Sequence, residues 1–295
     1  SRPPGGAGHD APVTMPQLTE LLDSLDVRQV GDLDFVAHQL DDPTHHIAGG
    51  HIAAQALVAG GRTAPGRVPH SFHAYFLRAG DARYPVDMHV TGLRDGGTLS
   101  TRRVTAVQRG EVLLEAHVSF SAALETMEYH QPMPEVPAPE ALPPVHEQLA
   151  CYADEFNGLW IRERPVERRY IDPPPRLAMD LPEAPPRIRM WWRPVDSVPD
   201  DPVLNAALLT YHSGVSMLET ALVARRTSAA HTFNALIDHA VWFHRPADLN
   251  DWVLADAVSP SGVAGRGLAT GVMYNRGGDL ICTATQELYF GRDRR

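Results

Sequence analysis

The sequence predicts an α+β protein made of two tandem units, in each of which a helix crosses an antiparallel sheet. The first observation is an internal repeat. Residues 236–246 have the same plan as residues 69–79, and aligning Arg78 with Arg245 also places Phe76 on Phe243. The second is the order of elements, because each unit has a helical pattern followed by several period-two segments. Only two long copies are present, which indicates a duplicated domain rather than a solenoid.

Composition limits the classes of function. The chain has 295 residues, 43% of them hydrophobic, and a net charge of −10, which disfavours nucleic acid as a partner. Cys151 and Cys282 are too far apart in sequence to suggest a metal site. No apolar run is long enough for a membrane span, and the first fourteen residues lack the apolar segment of a secretory signal. We therefore expect a cytoplasmic protein without a metal.

The first unit is predicted at residues 15–125, after a flexible tail at 1–14. Thr14 and Gln17 have capping-box form and are expected to open an amphipathic helix. A second helix, with a face of small residues, is expected after Gly49-Gly50. A meander of strands follows, and its last pair is joined by a tight turn at Arg109-Gly110. The predicted strands are 68–77, 86–91, 99–108 and 111–121.

Residues 126–186 are rich in proline, which removes ladder donors, so they are predicted to be a linker outside both sheets. Their middle, at 146–157, is compatible with a helix. The second unit, 187–295, is expected to contain one continuous helix from Pro202 to Arg225, capped by Asp200 or Asp201. Its predicted strands are 188–193, 232–245, 252–258, 266–275 and 280–290. A sheet curled round one helix is the hotdog arrangement, so the prediction is a double hotdog.

The residues also resemble those of the acyl-CoA thioesterase II family, from about residue 18 to residue 289. The shared features keep their order along nearly the whole chain. They are Gly49-Gly50-His51, His70-Ser71-Phe72-His73, Gly80-Asp81, Leu93-Arg94-Asp95-Gly96, Arg102-Arg103-Val104, the proline-rich linker, Val198-Pro199-Asp200-Asp201, Asp238-His239, Trp242-Phe243-His244-Arg245-Pro246 and Gln286-Glu287.

The resemblance implies hydrolysis of a fatty acyl-CoA thioester by an activated water. Coenzyme A would be part of the substrate, and no other cofactor is implied. In the family an Asp, a Thr or Ser and a Gln hold the water. The Gln position is Gln286 here, but the Asp position is Gly214 and the Thr position is Leu236. The family also suggests a homo-oligomer.

The remaining site residues are assigned with those two substitutions in view. Gln286 is expected to position water, and N–H groups at Gly49 and Gly50 to stabilise the oxyanion. Asp238, two residues after Leu236, is expected to share its strand face and to assist catalysis. His70 and Ser213 are expected to contact substrate.

Two alternatives stay open. Gly214 is equally compatible with close packing of a strand or of the other helix. Loss of the Asp and Thr also favours a non-hydrolytic protein that binds or transforms an acyl thioester or acyl chain. One such chemistry is suggested by residues 40–45, which are faintly similar to the Asp-x-Asn-Pro-x-His of hotdog hydratases, with Leu40 at the leading Asp position. That segment is expected in a loop before the helix.

Overall fold

The computed structural model describes residues 17–42, 45–124 and 126–291. The tail and the predicted cap at Thr14 lie outside these residues. The first helix, α1 (Leu18–Leu25), begins at Gln17. There the capping box forms one turn later than predicted, because the Gln17 N–H donates to Glu20 Oε2 at 2.8 Å.

The first unit has the predicted order of elements. The turn at Arg109-Gly110 has positive φ at both residues, +52° and +83°, as a two-residue hairpin requires. The strands predicted at residues 99–108 and 111–121 have those bounds in the structure. The elements after α1 are β1 (Arg28–Gln29), β2 (Asp34–Ala37), α2 (Gly49–Arg62), β3 (Val68–Phe76), β4 (Val86–Asp95), β5 (Leu99–Gln108) and β6 (Glu111–Ser121).

The rest of the described chain contributes the second unit and the segment between the two units. Short 3₁₀ turns lie at Pro139–Ala141, Ala150–Tyr152 and Glu155–Gly158. The other elements are α3 (Val145–Gln148), β7 (Val166–Tyr170), α4 (Pro175–Asp180), β8 (Arg187–Pro194), α5 (Pro202–Ser216), α6 (Leu218–Ala224), β9 (Asn234–Leu236), β10 (Asp238–Phe243), β11 (Val253–Val263), β12 (Arg266–Asn275) and β13 (Leu280–Phe290).

The strands of both units form one antiparallel sheet. Its order in the described chain is β1-β2-β4-β5-β6-β3-β10-β13-β12-β11-β8-β7, and β9 pairs with β13. The repeated segments meet at the centre, where β3 and β10 pair in the register Tyr75↔Asp238 to Ser71↔Trp242. The fold is a double hotdog whose two half-sheets are continuous.

The two long helices pack against each other on the inner side of this sheet. A Cβ added at Gly50 of α2 would lie 3.1 Å from the Gly214 Cα of α5, and one added at Gly61 would lie 2.6 Å from a methyl of Val203. The start of α2 therefore meets the end of α5, and the end of α2 meets the start of α5. The two helices are antiparallel and their backbones are nearly in contact. No helix in the described residues has both the length and the apolar character needed to cross a membrane.

The proline-rich segment is more than a linker. Residues Val166–Tyr170 form β7 and extend the sheet by pairing with β8, in the register Val166↔Pro194 to Tyr170↔Met190. The prediction that this segment lies outside both sheets is therefore wrong. The prolines lie before and after this strand, at Pro165 and from Pro173 onward, so they do not interrupt its ladder.

The predicted continuous helix is also interrupted. Asp201 does cap it, because its Oδ1 accepts the N–H groups of Val203 and Leu204 at 2.8 and 2.9 Å. The helix divides at Met217 into α5 and α6. Just before the division, the Ser216 hydroxyl donates to the His212 carbonyl at 2.7 Å, a backbone contact of the kind that bends helices.

Candidate functional site

A chain of buried polar side chains lies where the sequence places the family glutamine. Gln286 of β13 and Ser213 of α5 are fully buried, and His239 of β10 is 1% exposed. His239 Nδ1 is 3.0 Å from Gln286 Oε1, and His239 Nε2 is 3.0 Å from Ser213 Oγ. An amide oxygen only accepts, so Nδ1 carries the proton and Nε2 is free to accept from the Ser213 hydroxyl.

This chain leaves one donor unused. Gln286 Nε2 is buried and finds no hydrogen-bond partner in the described residues. A buried N–H without a partner is costly, so it marks a position where a further group is expected to bind. The Ser213 hydroxyl has a second acceptor in reach, the Thr210 carbonyl at 3.1 Å.

Gly214, at the family Asp position, faces the other long helix. A Cβ built on Gly214 would lie 2.5 Å from the Cα of Gly50 and 3.1 Å from its nitrogen. These neighbours are backbone atoms, which cannot move aside as the end of a flexible side chain can. Close packing of α2 against α5 therefore explains why residue 214 is a glycine. This is the packing interpretation given in the sequence analysis.

Leu236, at the family Thr position, covers the start of α2. A Cβ at Gly49 would lie 2.6 Å from Leu236 Cδ1. Gly49 and Gly50 are the first two residues of α2, whose N-terminal N–H groups have no acceptor within the helix. An apolar side chain thus lies against the turn that was expected to stabilise an oxyanion.

Asp238 does not share a face with Leu236, so that expectation is wrong. Leu236 pairs with Leu288, whereas Ala240 pairs with Thr285, so one extra residue lies between them in the β9–β10 segment. Asp238 instead pairs with Tyr75, whose side chain is 61% exposed, which places both on the outer face.

The Asp238 carboxylate has a structural partner there. Its Oδ1 accepts the Glu287 N–H at 2.9 Å, and partial burial raises its pKa above the usual range.

His70 lies apart from this group. Its Nε2 is 2.8 Å from Ser119 Oγ on β6, and burial lowers the pKa of its ring. Of the predicted site residues, the structure thus brings Gln286 and Ser213 together through His239, and Gly49, Gly50, Gly214 and Leu236 around the helix contact. His239 belongs to the family motif Asp238-His239, but the sequence analysis assigns it no role.

An enclosed cavity of about 340 Å³ lies on another side of α5. Ala48 and His51 of α2 contribute to it, but Gln286, Gly214 and Leu236 do not line it. Many of its walls come from the proline-rich segment, which explains why sequence analysis missed it. Its principal polar residues are Asp41, Asp42, Arg164, Arg168, Tyr170, Arg176, Tyr211, His212 and Glu219.

The buried histidines predict a loss of stability in mild acid. Burial lowers the pKa of His51 and of His239 to about 4. Both rings are then neutral in the folded protein at pH 5, whereas histidine in the unfolded chain titrates near 6.5 and binds a proton. The unfolded state is favoured as pH falls, by up to about 2 kcal/mol for each histidine between pH 7 and pH 5.

Urea unfolding at pH 7 and pH 5 measures this change in the free energy of unfolding. The variant His239→Gln is expected to reduce it, while replacing the exposed His146 by Gln is expected to leave it unchanged. If the free energy of unfolding changed equally between pH 7 and pH 5 in all three proteins, burial of neutral His239 would not be a source of the pH dependence.

Among residues 17–42, 45–124 and 126–291, no group of three or more His, Cys, Asp or Glu side chains is arranged to hold an ion.

Both units match known families. Residues 39–121 match the acyl-CoA thioesterase N-terminal domain, and residues 176–289 match the acyl-CoA thioesterase model. Acyl-CoA thioesterase 2 of Haemophilus influenzae is 33% identical over 92% of this chain and 96% of its own length. Acyl-coenzyme A thioesterase 8 of Rattus norvegicus is 32% identical over 83% of this chain and 80% of its own.

Solved structures agree with the sequence matches. The tesB protein of Mycobacterium avium subs paratuberculosis has a TM-score of 0.79 and 45% identity, over 93% of this chain and 100% of that one. An acyl-CoA thioesterase II from Mycobacterium marinum has a TM-score of 0.74 and 34% identity, over 92% and 96%. With both halves matched in order and the double hotdog shared, the chain belongs to the acyl-CoA thioesterase family.

Proposed function

We propose that this chain hydrolyses an acyl-CoA thioester with a water molecule positioned by Gln286. The observation that carries the proposal is the state of that side chain. It is fully buried, its Oε1 is fixed by His239, and its Nε2 has no hydrogen-bond partner in the part of the chain that the structure describes. The amide is thus held in one orientation with a donor left for a reacting group. The names of the relatives supply the substrate class.

In the proposed reaction the water oxygen attacks the thioester carbonyl carbon, the C–S bond breaks, and the thiolate leaves. A proton of the water ends on the thiolate. Gln286 Nε2 donates to the attacking water or to the carbonyl oxygen. The first-turn N–H groups of α2, at Gly49 and Gly50, stabilise the oxyanion once the acyl group displaces Leu236 from them. Asp238, on the outer face, has no part in this scheme.

Turnover is expected to be slow. Neither Gly214 nor Leu236 can accept a proton or orient water, and a positioned acid or base typically contributes about 10² to 10⁴ in rate. His239 does not replace them as a strong base, because burial lowers its pKa to about 4. Its role in the proposal is to fix the Gln286 amide.

A second candidate is a protein that binds or transforms an acyl thioester without hydrolysing it. It is favoured by the packing of Gly214 against Gly50 and of Leu236 against Gly49, because these two residues stand at the positions of the family Asp and Thr and leave no water-holding side chain there. The hydratase-like segment gives it modest further support. Its described part lies in the loop before α2, and Asp41 and Asp42 line the cavity.

Two measurements on the purified protein separate these candidates. The first is release of free thiol from acyl-CoAs of several chain lengths, and the second is binding of thioether analogues that cannot be hydrolysed. Slow, protein-dependent thiol release is expected. Binding without release would favour the second candidate, and failure of both assays would contradict the two together.

A further inference from the structure

The cavity beside α5 contains one cation, Arg164, for which no salt bridge is found among the described residues. Arg164 is half-buried, its Nε is fully enclosed without a hydrogen-bond partner, and its Nη2 lies 3.5 Å from the Leu159 carbonyl. Burial and the charge of Arg168 lower its pKa to about 10, which still leaves it charged at neutral pH. A charge removed from water in this way is unfavourable unless a counter-charge reaches it.

Glu219 is one of three carboxylates in the cavity wall, with Asp41 and Asp42, and it is already engaged. Glu219 accepts from Arg168 Nη1 at 3.0 Å through one oxygen and from the Tyr170 hydroxyl at 2.7 Å through the other. Arg176, the third arginine of the wall, is paired with Glu155 at 2.6 Å and with Asp180 at 3.0 Å. Among the described residues, Arg164 therefore lacks the direct ion pair that Arg168 and Arg176 both have.

His212 is a second unpartnered group on the same cavity. It is 1% exposed, and its ring stacks on Trp192 with centroids 3.9 Å apart. Neither ring nitrogen has a hydrogen-bond partner within residues 17–42, 45–124 and 126–291. Burial, with a smaller effect of the Arg168 charge, lowers the pKa of His212 well below the usual value, so the ring is neutral and one of its nitrogens carries a hydrogen. A buried histidine held by stacking, with an unused N–H, is a donor available to a ligand.

We propose that Arg164 and His212 form a subsite for an anionic oxygen group, a carboxylate or a phosphate, of the ligand that enters this cavity. The rest of the wall is largely apolar, with Leu149, Leu159, Val215, Leu218 and Leu222 among its residues. Those residues suit an acyl chain. The cavity, about 340 Å³, is near the small end of ligand pockets, which favours a carboxylate at the far end of the acyl chain over a coenzyme A phosphate. This inference rests on the proposed acyl-thioester function.

The test compares two thioether analogues of acyl-CoA, equal in length, one ending in methyl and one in carboxylate. Calorimetric titration of the wild type is expected to show at least about tenfold tighter binding of the carboxylate-ended analogue, since charge-assisted hydrogen bonds are the strong ones. Arg164→Gln is expected to abolish this preference. Arg103→Gln, which removes an exposed charge on β5, is the matched control and is expected to preserve it.

Thermal unfolding provides an independent measurement. Removing an uncompensated buried charge is expected to raise Tm, so Arg164→Gln should melt above the wild type and Arg103→Gln close to it. His212→Phe keeps a ring on Trp192 but removes the N–H, and it is expected to weaken the carboxylate-ended ligand severalfold.

The remaining outcomes each decide something. If both analogues bind equally and Arg164→Gln weakens both, while the corresponding pantetheine thioethers are unaffected, the anion is a phosphate of coenzyme A and the subsite stands. Unchanged affinities in a folded Arg164→Gln protein would overturn the subsite. If neither analogue binds the wild type, the proposed function fails, and titration of a free dicarboxylate against wild type and Arg164→Gln decides the subsite alone.

Discussion

Gly214→Ala is expected to destabilise the protein by about 1–3 kcal/mol or more, although alanine is the better helix former. The new Cβ would lie 2.5 Å from the Cα of Gly50, and α2 and α5 would have to separate to make room for it. Both helices are held by the sheet and by their own packing at Gly61 and Val203, so the separation disturbs the whole interface. Equilibrium urea unfolding gives the difference in free energy.

Gly60→Ala is the matched control, because Gly60 also lies on α2 but faces the sheet and not α5. A Cβ at Gly60 meets only side-chain atoms of Val104 and Val118 at 3.4 Å and of Phe120 at 3.7 Å, which are ordinary contacts. This variant is expected to be neutral or more stable, by up to about 1 kcal/mol, because it reduces the freedom of the unfolded chain. If the two variants had the same stability, close backbone packing would not be the reason for Gly214.

The helix contact also changes what restoring the family residues can achieve. Gly214→Asp places a larger side chain at the same point, so the variant carries the clash as well as the carboxylate. Adding Leu236→Thr relieves only the contact at Gly49. The double variant is therefore not a simple repair of a water site in an otherwise unchanged scaffold.

Much of the fold could be predicted from the sequence because its signals are local. The bounds of β5, β6, β12 and β13 agree with the period-two pattern, and the Arg109-Gly110 turn and the Asp201 cap are set by neighbouring residues. The division of the long helix at Met217 was missed, because apolar periodicity continues through it. The strand Val166–Tyr170 was missed because proline composition was averaged over the segment, while its ladder lies between the prolines.

The candidate site was predicted less completely, for reasons of geometry. The family resemblance identified Gln286, Gly214 and Leu236, but counting alternate residues placed Asp238 on the wrong face. A single extra residue in the β9–β10 segment reverses that parity, and sequence alone does not show it. Arg164 and His212 were missed because what singles them out is that their buried nitrogens lack hydrogen-bond partners among the described residues. The surroundings of these nitrogens are formed by segments that are far apart in sequence.

Gln286→Leu is expected to lower kcat for thiol release by about 10²-fold or more, with a smaller change in KM. Leucine has nearly the same volume but no N–H to donate to water or to the thioester oxygen. The expected cost in stability is modest, about 1–2 kcal/mol, because the variant loses one bond to His239 and also removes a buried donor that has no partner.

Gln55→Leu is the matched control, because Gln55 is also fully buried but has all of its bonds. Its Oε1 accepts from Gln39 at 2.9 Å, and its Nε2 donates to the carbonyls of Ser24 and His38 at 2.8 Å. This variant removes the donor to two carbonyls and the acceptor of the Gln39 amide, so it is expected to lose more stability than Gln286→Leu. Steady-state kinetics at a temperature where both variants stay folded is expected to show the large loss of kcat only in Gln286→Leu. If Gln286→Leu releases thiol at the wild-type rate, Gln286 has no part in the mechanism. A change in stability cannot hide the loss of a catalytic donor, because the rates are compared in folded proteins.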